Sequence, residues 1–128
     1  MTQDNYLDIM FRFVREGGKL ALKNIHKSDP GLKADKTIVT KTDRVVSKLA
    51  RQMLAKSLKD PGHILNDEEH PNVVNLLDQK KLEAAGYVWS VDPIDGTRLY
   101  ANRIPTFGIS IGLIKDLKPW LGVVYFPA

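Results

Sequence analysis

The sequence holds no cysteine, no long apolar run and few aromatic residues. Without cysteine there is no disulfide, no thiolate zinc site and no thiol nucleophile, and the chain suits a reducing compartment. Without a run of about 18 or more apolar residues there is no membrane span. The opening stretch MTQDNYLDIM has an early acid and no apolar core, so it does not read as a signal peptide. A cytoplasmic protein is the expectation. No Gly-x-Ser-x-Gly elbow is present to carry a nucleophilic serine, and there are no repeats, linkers or low-complexity tracts. What remains, 43% hydrophobic and 27% charged in 128 residues, is the composition of one soluble domain large enough to bury a core.

A net charge of +4 and a pI near 9.3 invite a nucleic-acid partner. The distribution argues otherwise. Residues 66–95 carry seven acids against two lysines, a local charge of −5 that leaves +9 for the remainder. Arg44, Lys48 and Arg51 recur at helical spacing, and a solvated helix face accounts for them without any polyanion. Neither nucleic acid nor membrane is expected as a partner.

From Leu7 to Ile25 apolar and small positions recur with helical period, predicting one amphipathic helix that ends before Ser28. Gly17 and Gly18 either break it or let its backbone approach a neighbour closely, and close packing is favoured. An extended TIVTKT leads to a second helix from about Asp43 to Leu58, capped by Thr42 or Asp43, with Val46, Leu49, Ala50, Met53, Leu54 and Leu58 inward. HIL at 63–65 predicts a short strand that delivers Asp67, Glu68 and Glu69 at its end. NLLDQKKLEAAG predicts a short helix closed by Gly86, and YVWSV the next strand. Alternation from Phe107 to Leu113, then Leu121 to Phe126 after KDLKP, predicts a hairpin or meander. The fold class is α+β, layered, with helices packed on a mostly antiparallel sheet. An apolar patch around Val123 to Phe126 predicts an exposed strand edge prone to pairing, which allows a homodimer.

The chemistry concentrates in WSVDPIDGT, residues 89–97. Pro93 fixes its own φ and holds Asp92 extended, and Gly96 permits a positive φ, so DPIDG is a rigid turn. Asp92, Asp95 and the Ile94 carbonyl make a hard oxygen site of the kind that suits Mg2+. Glu68 would add a further charge, and each like pair at about 4 Å would repel by roughly 1–4 kcal/mol unless a divalent cation neutralises it. A short helix starting near Thr97 would aim the amides of Gly96 and Thr97 at an anion. Cation and anion sites side by side describe a phosphate ester site, and hydrolysis would use metal-activated water. DPIDG can equally be a capped tight turn. A calcium loop is excluded, because Val91 and Pro93 would occupy positions that need side-chain oxygens. His26, His63 and His70 have no ligand spacing to one another.

WSVDPIDGT resembles the signature of the inositol monophosphatase family, metal-dependent and lithium-sensitive phosphatases that include nucleotide bisphosphatases and fructose bisphosphatases. IVTKTD at 38–43, PGHILNDEEH at 61–70, FGISIGLI and GVVYFP resemble other blocks of that family in the same order. The resemblance implies the N-terminal part of the family's αβαβα sugar-phosphatase fold. It also implies that Glu68, Asp92 and the Ile94 carbonyl hold one Mg2+ and that Asp92 with Asp95 holds a second. Asp43 and Thr97 would orient and activate the attacking water, and the Gly96 and Thr97 amides would take the phosphate. Glu69 would lie behind the ligands or act through a water. Three consecutive acids replace the family's small residue and acid pair, so Asp67 competes with Glu68 as ligand, and the spacing from Pro61 and His63 favours Glu68.

Family members are considerably longer, with a second α/β half whose Trp-Asp motif completes the second metal site. Residues 1–128 are therefore expected to be a single N-terminal metal-binding phosphatase domain lacking that C-terminal α/β domain. The function expected is Mg2+-dependent hydrolysis of a small phosphate monoester, inositol-monophosphate-like first and 3′-phosphoadenosine 5′-phosphate second. The alternative is a truncated, non-catalytic module that binds a cation or phosphate.

Overall fold

The computed structural model describes residues 1–27, 30–32, 38–67, 69 and 79–128. Helix α1, Gln3–Asn24, opens on a reciprocal cap in which the Thr2 hydroxyl accepts from the Asn5 amide and the Asn5 side chain accepts from the Thr2 amide. A short 3-10 turn, Ile25–Lys27, finishes it where the sequence breaks toward Asp29-Pro30. Strands β1 (Pro30–Leu32) and β2 (Ile38–Thr40) pair antiparallel as a small separate sheet. Helix α2 is Lys41–Leu58, β3 His63–Asp67, α3 Gln79–Ala84, β4 Tyr87–Asp95, α4 Thr97–Ala101, β5 Gly108–Lys115 and β6 Lys118–Tyr125. The main sheet has the order β3-β4-β5-β6, parallel between β3 and β4 and antiparallel elsewhere. The α+β expectation holds.

Differences from expectation are local. Helix α2 is capped by Thr40, not Thr42 or Asp43, because Thr40 and Asp43 satisfy each other. The Asp43 amide donates to the Thr40 hydroxyl at 3.2 Å, and Asp43 Oδ2 accepts the Thr40 amide at 2.8 Å and its hydroxyl at 2.5 Å. Strand β3 extends two residues past Leu65, and β4 runs to Asp95. Helix α3 is described from Gln79, and the expected start at 75–78 lies outside the described residues. Strand β6 begins at Lys118, ahead of the expected Leu121, because Asp116 and Leu117 both adopt positive φ and close the hairpin in two residues. Pro119 is tolerated in β6, an edge strand of the sheet.

Helices α1 and α2 lie on one face of the sheet. Their Met10, Phe13, Val14, Val46, Ala50 and Leu54 meet Trp89, Val91, Ile109, Ile111 and Leu113 in the main core. Leu49, Met53 and Leu58 pack at its margin, so the inward stripe expected of α2 is the observed one. Gly17 serves close approach: a Cβ there would sit 3.2 Å from both Ile109 Cδ1 and Val46 Cγ1. Outside this core, Val124 and Phe126 are 58% and 61% exposed, the apolar patch expected at the β6 end. Among the described residues no helix is long and apolar enough to cross a membrane.

An aromatic group closes the sheet at the beginning of β3 and β4. Tyr6 of α1 lies among His63, Tyr87, Trp89 and Trp120, and His63 stacks on Tyr87 with centroids 4.4 Å apart. Trp89 Nε1 donates to His63 Nδ1 at 3.1 Å, which requires a deprotonated Nδ1. Burial lowers the His63 pKa from its ordinary 6.5, outweighing the Asp60 carboxylate that pulls the other way. A base with a depressed native pKa favours folding in its neutral form. Its contribution is full above pH 6.5 and falls away as the pH drops through the lowered native value.

Two outcomes follow for urea unfolding monitored by tryptophan fluorescence. Gly17→Val should cost about 1–3 kcal/mol, because its methyls enter occupied core volume. The wild type should lose stability below pH 6.5, and His63→Phe should flatten that acid slope.

Candidate active site at the strand ends

The far ends of β3 and β4 carry the acids. Asp92 and Asp95 are three residues apart, so an unbroken strand would place them on opposite faces. Strand β4 is broken: Asp92 pairs with Ser110 and Asp95 with Gly108, so three steps on β4 match two on β5. The surplus residue is a bulge, and it falls between Asp92 and Asp95, a stretch that includes Pro93, which has no N–H to give the ladder. Packing records the switch of face. Trp89 and Val91, at odd positions, pack with α1 and α2, and after the bulge Ile94, at an even one, packs with Ala21 of α1, with Ile25 of the 3-10 turn that follows it, and with Tyr100 and Phe107. Asp92 and Asp95 consequently share the face turned away from those helices. Asp92 Oδ1 is buried and takes no hydrogen bond, while the residue makes other interactions. Asp95 is exposed.

Gly96 follows with φ +88°, a left-handed conformation that a Cβ would strain, and it starts α4. That turn sets Thr97 beside the N-terminus of α2. The Thr97 hydroxyl lies 2.9 Å from Asp43 Oδ1 and 3.0 Å from the Ile94 carbonyl oxygen. One proton cannot fully serve both acceptors, and the charged carboxylate is the stronger. Asp43 is therefore bound on both oxygens, Oδ2 by the Thr40 cap and Oδ1 by Thr97. Tyr100 holds α4 in place from behind, its hydroxyl 2.8 Å from the Ala21 carbonyl and 3.0 Å from Thr42 Oγ1.

Asp67, the last residue of β3, is fully buried. Ser47 donates a short hydrogen bond to its Oδ2, the Glu69 amide donates to its Oδ1 at 3.0 Å, and Arg51 Nη1 lies 3.6 Å from Oδ2 while donating to Ser47 Oγ at 2.7 Å. Arg51 is thus not simply part of a solvated helix face. Sequence reasoning missed this group and Tyr100. The spacing of Asp43, Ser47 and Arg51, four residues apart on α2, was the available signal.

Of the expected site residues, the structure brings together Asp43, Thr97 and the Ile94 carbonyl, with Asp92, Asp95 and Gly96 in the same turn. Glu68 lies outside the described residues, and Glu69 is half-buried. Among the described residues no three acidic or histidine side chains gather closely enough to hold a metal ion. The donor set still fits a hard cation: Asp92, Asp95 and the Ile94 carbonyl offer only oxygen.

A four-stranded sheet under two helices, with a carboxylate-hydroxyl pair at a bulged strand end, defines a class of α+β protein that comparison narrows further. The model of the inositol monophosphatase family matches residues 3–128, and the chain belongs to that family. It is 32% identical over 131 residues to a histidinol-phosphatase of Chlorobaculum parvum, covering 100% of this chain and 46% of the relative. It is 34% identical over 114 residues to inositol monophosphatase 1 of Bos taurus, covering 88% of this chain and 36% of the relative. The solved structure of the extragenic suppressor protein suhB from Bartonella henselae superposes with a TM-score of 0.76 at 25% identity, over 96% of this chain and 45% of that one. A staphylococcal IMPase, 22% identical with a TM-score of 0.77, shares the fold over 99% of this chain and 45% of its own. The chain thus spans less than half the length of these relatives.

Asp43→Ala removes the reciprocal half of the α2 capping box and the partner of Thr97 together. Chemical denaturation should show a loss of about 1–3 kcal/mol, and a change within experimental error would mean that neither bond matters to the fold.

Proposed function

We propose that residues 1–128 are the metal-binding, water-orienting part of a phosphatase that hydrolyses a small phosphate monoester with Mg2+. The observation that carries this reading is the hydrogen bond between Thr97 and Asp43, 54 residues apart in the chain, beside two aspartates brought to one strand face. Family membership supports the reaction class. The relatives' names, histidinol-phosphatase, inositol monophosphatase and 3′(2′),5′-bisphosphate nucleotidase, support small phosphorylated substrates without choosing among them. Of the esters, one like inositol monophosphate leads and 3′-phosphoadenosine 5′-phosphate follows.

Asp92, Asp95, the Ile94 carbonyl and Glu68 would hold the cation. Bound there, Mg2+ would polarise phosphoryl oxygens and acidify water. The chain's own residues do the rest. Asp43, fixed by its reciprocal bonds with Thr40, accepts the Thr97 hydroxyl hydrogen bond and so turns a lone pair of Thr97 Oγ1 outward, where it can accept a hydrogen bond from the attacking water. The hydroxyl is thereby a hydrogen-bond acceptor of set direction. The Gly96 and Thr97 amides would bind the phosphate, aided by the backbone turn at Gly96.

Phosphate release from inositol monophosphate tests this directly. Turnover by the chain should require Mg2+, fall with lithium, and drop about a hundredfold or more in Thr97→Val and in Asp95→Asn. Release that is indifferent to Mg2+ and survives Asp95→Asn would overturn the proposal.

A further inference from the structure

We propose that Asp67, Ser47 and Arg51 form a positioning clamp that sets the cation affinity of the neighbouring acidic end of β4 without binding the cation itself. The proposal rests on the metal-dependent function above. Asp67 is a poor ligand on geometric grounds, since Ser47 and the Glu69 amide occupy its oxygens and the Arg51 guanidinium lies 3.6 Å from Oδ2. A divalent cation placed there would face that guanidinium. The Arg51 charge also balances the buried carboxylate, so Asp67 adds little net charge to the site.

The position of Asp67 makes it useful in another way. It pairs in register with Val91, one residue before Asp92, so β3 ends level with the start of the acidic turn of β4. Glu68 and Glu69 follow directly. On α2, Asp43, Ser47 and Arg51 occupy successive turns of a single stripe, about 5–6 Å apart along the axis. The first turn holds Thr97 and the next two hold Asp67. One helix therefore spaces the end of β3 against the Asp43-Thr97 pair. If the clamp opens, the end of β3 holds its place beside Asp92 only part of the time, and apparent affinity falls by that fraction.

Calorimetric Mg2+ titration of the full chain reads this out, with hydrogen exchange of the metal-free protein alongside. Ser47→Ala and Asp67→Asn should weaken Mg2+ binding about tenfold and speed exchange of the Glu69 amide. Arg51→Lys, which keeps the charge, should bind within about threefold of wild type, and Arg51→Met should not. Leu54→Ala, a cavity in the same helix, controls for stability loss and should leave affinity within about twofold. Wild-type affinity in both Ser47→Ala and Asp67→Asn, or an equal loss in Leu54→Ala, overturns the clamp. If the wild type binds no Mg2+, the proposed function fails on its own. The clamp is then decided by the Tyr100 amide, which donates to the Gly96 carbonyl at 2.9 Å: faster exchange in Ser47→Ala supports coupling through α2, and unchanged exchange overturns it. Should Asp67→Asn fail to fold, Ser47→Ala carries the test.

Discussion

The carboxylate of Asp43 is the point on which the structure turns. One oxygen closes the first turn of α2 against Thr40, and the other receives Thr97 from the far side of β4. Starting the helix and building the site are thus one event. A carboxylate that had only to cap could rotate, and one that had only to accept from Thr97 would need another means of orientation. Sharing removes both freedoms and fixes where the hydroxyl proton goes.

Around that point the fold works by attaching everything to α2. The helix buries Val46, Ala50 and Leu54 in the core, holds Asp67 through Ser47 and Arg51, and meets Tyr100 through Thr42. The sheet contributes what a helix cannot, a change of face within three residues. The opposite end of β3 and β4 is given over to aromatic packing, with Tyr6, His63, Tyr87 and Trp89 in mutual contact. Aromatic packing at one end and the candidate site at the other are separated by the length of the strands.

How much of this was legible in the sequence depends on how local the determining contacts are. The break at DPIDG is governed by adjacent residues, so Pro93 and Gly96 announced it, although it is a bulge within β4 followed by a left-handed Gly96 and not a separate turn. The inward stripe of α2 followed from periodicity. The true helix start did not, because Thr40 and Asp43 choose each other over the equally suitable Thr42, which is drawn instead to Tyr100. Arg51 looked like a solvated cation for want of any sequence mark joining it to Asp67, sixteen residues on. Asp67 competed with Glu68 as a ligand for the same reason, though its buried bonds to Ser47 and the Glu69 amide give it a task of its own.

The bulge between Asp92 and Asp95 has a consequence for how such a chain can change over time. Side-chain direction beyond it depends on parity, so inserting or deleting a single residue between Asp92 and Asp95 would swing one carboxylate through the sheet and into the helix layer. Substitutions in this stretch can be graded, but a one-codon length change is all or nothing. Length variation in the lineage should therefore accumulate elsewhere, leaving the spacing of these acids as its most rigid record.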